Sequence, residues 1–188
     1  MELRGIMLMT GVLALGIATE ERSSLLSAGE RAPDFETTLT TGEIIRLSQF
    51  AGRKNVVLYF YPKDFTSGCT REACAYRDAY RDIIALDAVL FGVSADSGES
   101  HRRFISAQAL PFPLISDSSG SLARAYGVIR LWGLLPYPKR VTYVIDKGGI
   151  IRLAAHHEFD MGRHVADVFA ALNNLEGNGG KAPPTSLR

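Results

Sequence analysis

Cys69 and Cys74 are the whole thiol complement of a 188-residue chain, and they stand five residues apart in FYPKDFTSGCTREACAYRD, residues 60–78. The spacing narrows what they can do. Two cysteines make no disulfide framework, and C-x4-C without a second Cys/His pair at ligand spacing does not make a zinc site. Thioredoxin-type exchange uses C-x-x-C. A C-x4-C pair suits instead a thiol that is first oxidised by something else and then resolved by its neighbour. Three other readings stand beside this one: a general thiol–disulfide oxidoreductase, a non-enzymatic redox sensor, and a pair without chemistry in which Cys69 is a small buried hydrophobe.

Reactivity requires surroundings that favour the thiolate. Pro62 keeps the segment before it extended, Thr66 is a helix N-cap by type, and Ala73, Tyr76, Tyr80, Ile83 and Ile84 recur at helical spacing. A helix is therefore expected to start after Thr66, with Cys69 in its first turn. Free N–H groups and the positive end of the helix dipole favour an anion there. Thr66 and the turn backbone would point donors at whatever Cys69 attacks, and Gly68 would let a small substrate approach the main chain.

The rest of the chain has to place that turn. With 46% apolar and 22% charged residues, the sequence has material for one ordinary core without help from metal or disulfides. A formal charge of +1 and no long basic stretch argue against a nucleic-acid partner. The pair His156-His157 is not read as a metal site, because neighbouring residues of the strand-like GIIRLAAHHEF point to opposite faces.

A hairpin-like FETTLTTGEIIRL precedes the apolar strand 55–61 (NVVLYFY), the helix after Thr66 and the strand 88–94 (AVLFGVS). A second helix (GESHRRFISAQAL), the short FPLIS, SLARAYG and two strands, RVTYVID and GIIRLAA, joined at Lys147-Gly148-Gly149, follow. A helix over 161–175 closes the unit. Strand and helix in alternation predict an α/β fold with a mixed central sheet and helices on both faces, with its site at strand carboxyl ends, where Cys69 falls.

The folded domain is expected over 29–175, with a loose tail at 176–188 and a separate segment at 1–28. Within that segment, residues 5–18 (GIMLMTGVLALGIA) have the length of a signal-peptide apolar core. Export or tethering, with a periplasmic or other extracytoplasmic setting, is one expectation. A cytoplasmic protein is the other, because Arg4 alone marks the basic end and Glu2 offsets it.

The run YPKDFTSGCTREAC resembles the peroxiredoxins, in particular the bacterioferritin comigratory protein or peroxiredoxin Q subgroup, whose mark is P-x3-T-x2-C with a second cysteine five residues on. APDF, LPFPLISDSSGSLARAYGV and RVTYVIDKGGII look like their counterparts in that family, in the same order, so the likeness covers nearly all of 29–175. It implies a thioredoxin-like fold with an added N-terminal β-hairpin. It also implies reduction of hydrogen peroxide and organic hydroperoxides with no metal and no cofactor, electrons coming from thioredoxin or a similar dithiol reductant.

By motif, the resemblance makes Cys69 the peroxidatic cysteine, Cys74 the resolving one, Thr66 a donor to the peroxide and Pro62 a shield for the thiolate. Arg140 matches the family arginine that faces the thiolate; PKRVTYVID alone would read as a solvated arginine at the start of a strand. Glu72 either orients Arg140 or favours the helix N-terminus by charge, and is not assigned to catalysis. Ser67 stands where the family usually has Pro, which should leave the turn looser.

A local cysteine pair makes a second subunit unnecessary for resolution, so a monomer is expected. In a regular helix residues five apart have Cα atoms roughly 8.6 Å apart. Disulfides need about 5.5–6 Å. Oxidation is therefore expected to open the helix around the pair.

Overall fold

The computed structural model describes residues 24–132, 135–157 and 160–177; the apolar segment 5–18 and nearly all of the tail lie outside them. A small antiparallel hairpin comes first, β1 (Glu36–Thr38) on β2 (Ile44–Arg46), followed by one 3-10 turn, Leu47–Phe50. Six residues, NVVLYF, five of them apolar, then make β3 (Asn55–Phe60), all of them buried. A strand that lacks a polar face needs cover on both sides. The rest of the chain supplies it.

Helix α1 (Ser67–Ala85) leads to β4 (Ala88–Ser94), α2 (Gly98–Gln108) to β5 (Leu114–Ser116), and a short α3 (Ser121–Ala125) to a second small hairpin, β6 (Ile129–Trp132) with β7 (Leu135–Pro138). The antiparallel pair β8 (Val141–Ile145) and β9 (Ile151–Ala155) follows, and α4 (Met161–Leu175) ends the fold. The main sheet has the order β5-β4-β3-β8-β9; β3, β4 and β5 are parallel, and β8 is antiparallel to β3. This is the expected mixed α/β sheet with the added N-terminal hairpin.

Alternation along β3 divides two cores. Val57 and Tyr59 face α1, α2 and α4, whereas Val56, Leu58 and Phe60 face the N-terminal segment, α3 and Tyr143. Leu26 is fully buried in the second cluster. On the first side Tyr59 stacks between Tyr76 and Tyr61, ring centroids 4.6 and 5.4 Å away. A buried polar chain crosses the same layer: Tyr76 Oη lies 3.0 Å from Thr142 Oγ1, which lies 3.0 Å from His164 Nδ1. Burial pushes His164 down to about 4, so the ring is neutral at ordinary pH. The chain ties α1, β8 and α4 together behind the site.

Several elements differ from the expectation. β3 stops one residue short of Tyr61. On α1 Ile84 is exposed, because Ile83 already occupies the inward position and its neighbour turns about 100° away, while Glu72 and Ala79 lie on the inward face and are buried. β9 ends at Ala155, so His156 and His157 lie beyond the strand; the His157 ring bonds Asp167 on α4, 2.7 Å away.

Gly92 on β4 is the closest fit in this layer. A Cβ there would lie 2.6 Å from Leu114 Cδ2 and 2.6 Å from Tyr59 Cζ. Neither atom is free to swing into solvent, so Gly92→Ala is predicted to destabilise the protein by about 1–3 kcal/mol, read as a lower urea midpoint. An unchanged midpoint would mean that the tyrosine layer shifts without cost.

Candidate active site

The main chain leaves β3 at Phe60, turns through Pro62–Thr66 and enters α1 at Ser67, with Thr66 as N-cap in extended backbone. Cys69 is the third residue of the helix, inside the turn whose N–H groups lack helical acceptors. Its side chain is buried, 2% exposed. The thiol meets one cation: Arg140 Nη2 donates to Cys69 Sγ across 3.3 Å.

Two features of the backbone bring that arginine in. Val141 pairs with Phe60 in the β8–β3 ladder, so Arg140, one residue earlier, sits at the carboxyl end of β3. Gly68 clears the last space, since a Cβ at that position would lie 3.2 Å from Arg140 Nη2. What the structure places against the glycine expected to admit substrate is the guanidinium.

Arg140 is only 5% exposed and its other nitrogen, Nη1, bonds Glu72 Oε2. Glu72 is one helical turn after Cys69, on the same inward face, and is completely buried. Of the two roles open to it, orienting Arg140 is the one the contacts carry. Burial pushes the Glu72 carboxyl up to about 7, against the pull of the guanidinium. Glu72 Oε1 has no partner among the described residues, so a single guanidinium contact does not offset the desolvation.

Cys74 is half-buried and faces elsewhere: its Sγ lies 3.6 Å from Gln108 Oε1 at the end of α2, while Arg77 Nη1 donates to the Gln108 carbonyl at 3.0 Å. Both cysteines are free thiols. Thr66 is exposed and holds the N-cap position, but its hydroxyl donates to Lys63 O at 3.1 Å rather than accepting from the helix. Pro62 is half-buried in the same turn. Cys69, Arg140 and Glu72 are thus in direct contact, Thr66 and Pro62 form the turn that leads to Cys69, and Cys74 stands apart on α1.

Reasoning from the sequence missed the buried Asp64 and His101, 2.9 Å apart beneath this turn. The signal was weak. Asp64 reads as a turn residue, and His101 was detectable only as the residue one helical turn before Phe104 on the apolar face of α2.

A reduced cysteine at a helix N-terminus, facing a buried arginine at the carboxyl edge of a mixed sheet, defines a thiol-based redox enzyme on a thioredoxin-like fold. A family profile described as the AhpC/TSA family matches residues 28–154. Peroxiredoxin Bcp of Bacillus subtilis is 39% identical over 158 residues, covering 80% of this chain and 97% of its own. The chloroplastic peroxiredoxin Q of Sedum lineare is 39% identical over 152 residues, covering 80% of each. Among solved structures, peroxidoxin BcpB from Mycobacterium tuberculosis superposes with a TM-score of 0.73 at 34% identity, covering 79% of this chain and 97% of that one. The chain belongs to the AhpC/TSA family, in its peroxiredoxin Q/Bcp branch, and is a thiol-dependent peroxidase.

The Glu72 carboxyl has a measurable consequence. In the folded protein it keeps its proton up to about pH 7, whereas the unfolded chain releases it near the ordinary carboxylate value. The folded state therefore binds more protons between those two values, and the contribution of Glu72 to stability falls as pH rises through that window. The difference in unfolding free energy between wild type and Glu72→Gln should drop by on the order of 1–3 kcal/mol from pH 4.5 to pH 8. Parallel pH profiles for the two proteins would refute the assignment.

Proposed function

We propose that Cys69 is the peroxidatic cysteine and Cys74 the resolving one, in a peroxidase domain over the expected 29–175 to which the preceding segment adds the buried Leu26. The 3.3 Å contact between Arg140 Nη2 and Cys69 Sγ carries this reading, because a guanidinium in a helix N-terminal turn stabilises the nucleophilic form of the thiol. The Cys69 thiolate attacks the terminal oxygen of a hydroperoxide, an S–O bond forms as the O–O bond breaks, and the leaving hydroxide or alkoxide takes a proton. Cys69 becomes a sulfenic acid and the peroxide is reduced to water or an alcohol. Arg140 and the free N–H groups of the turn are the donors for charge developing on the departing oxygen, and the Thr66 hydroxyl joins them by turning from Lys63 O to the bound peroxide. Pro62 screens the thiolate from bulk water.

Resolution follows when the Cys74 thiolate attacks the sulfenic sulfur: the S–S bond forms as the S–O bond breaks, and the departing hydroxide takes a proton from solvent to leave as water, giving an intramolecular disulfide. A dithiol of the thioredoxin kind then restores both thiols by exchange. Oxidation and resolution are both complete within one chain, so a monomer suffices. Because α1 is continuous from Ser67 to Ala85 and Cys74 is turned towards Gln108, the disulfide needs the start of the helix to open. With the helix formed, Cys69 meets peroxide; with it opened, the disulfide meets the reductant.

Quantifying peroxide against protein tests the roles of the two thiols. Cys69→Ser is expected to abolish peroxide reduction. Cys74→Ser is expected to consume about one equivalent and then stall as a sulfenic or further oxidised acid. Equal steady turnover by the two variants would refute the assignment.

A further inference from the structure

Asp64, two residues before Thr66, is turned inward and is almost completely buried. Its carboxylate accepts from Tyr61 Oη at 2.8 Å and from Ser100 Oγ at 2.7 Å, and faces His101 Nδ1 at 2.9 Å. Its backbone N–H donates to Asp96 Oδ2 at 2.9 Å. Burial pushes the Asp64 carboxyl up, yet the donors from His101, Ser100 and Tyr61 outweigh it and hold the group below its ordinary value. His101 is also fully buried, and its other ring nitrogen lies 3.2 Å from Ile115 O on β5. One carboxylate thus fastens the turn to the end of β3, to α2 and, through the imidazole, to β5.

The next residue shows what that fastening imposes. Phe65 has φ of 61°, a left-handed conformation that costs a bulky residue about 1–2 kcal/mol. Its own side chain does not require it: the ring is 51% exposed and makes an edge contact with Phe104, centroids 5.1 Å apart. The strain arises because both flanking residues are fixed, Asp64 by its buried partners and Thr66 as the start of α1. Strained backbone persists only where the surroundings over-determine it, and such places cluster at functional sites.

We propose that Asp64 and His101 are positioning residues for the peroxide step, holding the Pro62–Thr66 turn in the one conformation that presents Thr66 and the helix N-terminus to a peroxide bound at Cys69. The proposal rests on the reading of Cys69 and Thr66 given above. It assigns the pair no contact with substrate. Its effect falls on activation of the peroxide, whereas the reactivity of the thiol itself depends on Arg140 and the helix.

Two rates separate these effects. In a Cys74→Ser background Cys69 is the only thiol, and its oxidation by hydrogen peroxide can be compared with its alkylation by iodoacetamide, which needs the thiolate but not the peroxide-binding turn. Asp64→Asn is expected to slow oxidation by about ten- to hundredfold, as for a displacement near 1 Å of a positioning group, while alkylation stays within about twofold. No change in oxidation, or equal losses in both rates, would overturn the proposal. If Asp64→Asn does not fold, Ser100→Ala removes one donor to the same carboxylate and decides the matter. A selective severalfold loss in oxidation supports the clamp, and unchanged oxidation overturns it. Peroxide turnover by Cys69→Ser with Cys74 intact would instead overturn the assignment of Cys69, a result distinct from any of these.

Discussion

The register of β8 on β3 sets the geometry of the candidate active site. Pairing Val141 with Phe60 brings a guanidinium to a thiol 71 residues earlier in the chain, and a slip of one residue would turn Arg140 to the opposite face of the sheet. That register is held by burial on both faces. Val141, Tyr143 and Ile145 fill one core, while Thr142 and Val144 face the other, where Thr142 joins the buried chain from Tyr76 to His164. The hydrophobic packing that makes the sheet and the polar contact between Arg140 and Cys69 are therefore one constraint. Gly68 and Gly92 mark where it is closest, since each stands where a single added carbon would meet a neighbour.

The start of α1 serves opposed demands. In the proposed cycle it is helical when Cys69 has its N–H groups and its arginine, and it opens for Cys74 to arrive. Three features of the first two turns lower what opening them costs. Thr66 spends its hydroxyl on Lys63 instead of capping, Ser67 leaves the first position without the fixed φ of a proline, and Glu72 is a buried carboxyl whose one cation does not offset its desolvation. Further along, Tyr76, Ala79 and Ile83 are buried in the main core. Local opening needs low stability at one end and a firm anchor at the other, and α1 is built in that way.

Much of this was legible in the sequence where a period or a turn signal was strong. The run NVVLYF, the hairpin at Lys147-Gly148-Gly149 and the helix after Thr66 all stand close to where they were expected. The 3-10 turn at Leu47–Phe50 and the hairpin of β6 and β7 were not anticipated, because neither carries a long periodic pattern. Within the site, Cys69 was legible from its place after a core strand. Arg140 was legible only through family resemblance, since its position depends on strand register across 71 residues. Asp64 and His101 were missed for the same reason: their burial is a tertiary fact, and a turn aspartate and a helical histidine look ordinary in one dimension.

Helix α1 cannot hold a Cys69–Cys74 disulfide while it remains a helix. Hydrogen exchange measured on the reduced protein and on the oxidised protein, with the disulfide verified by intact mass, tests it directly. Amides of residues 67–77 should lose protection on oxidation while those of β3 and the later part of α1 keep theirs. Equal protection of residues 67–77 in the two forms would contradict the account.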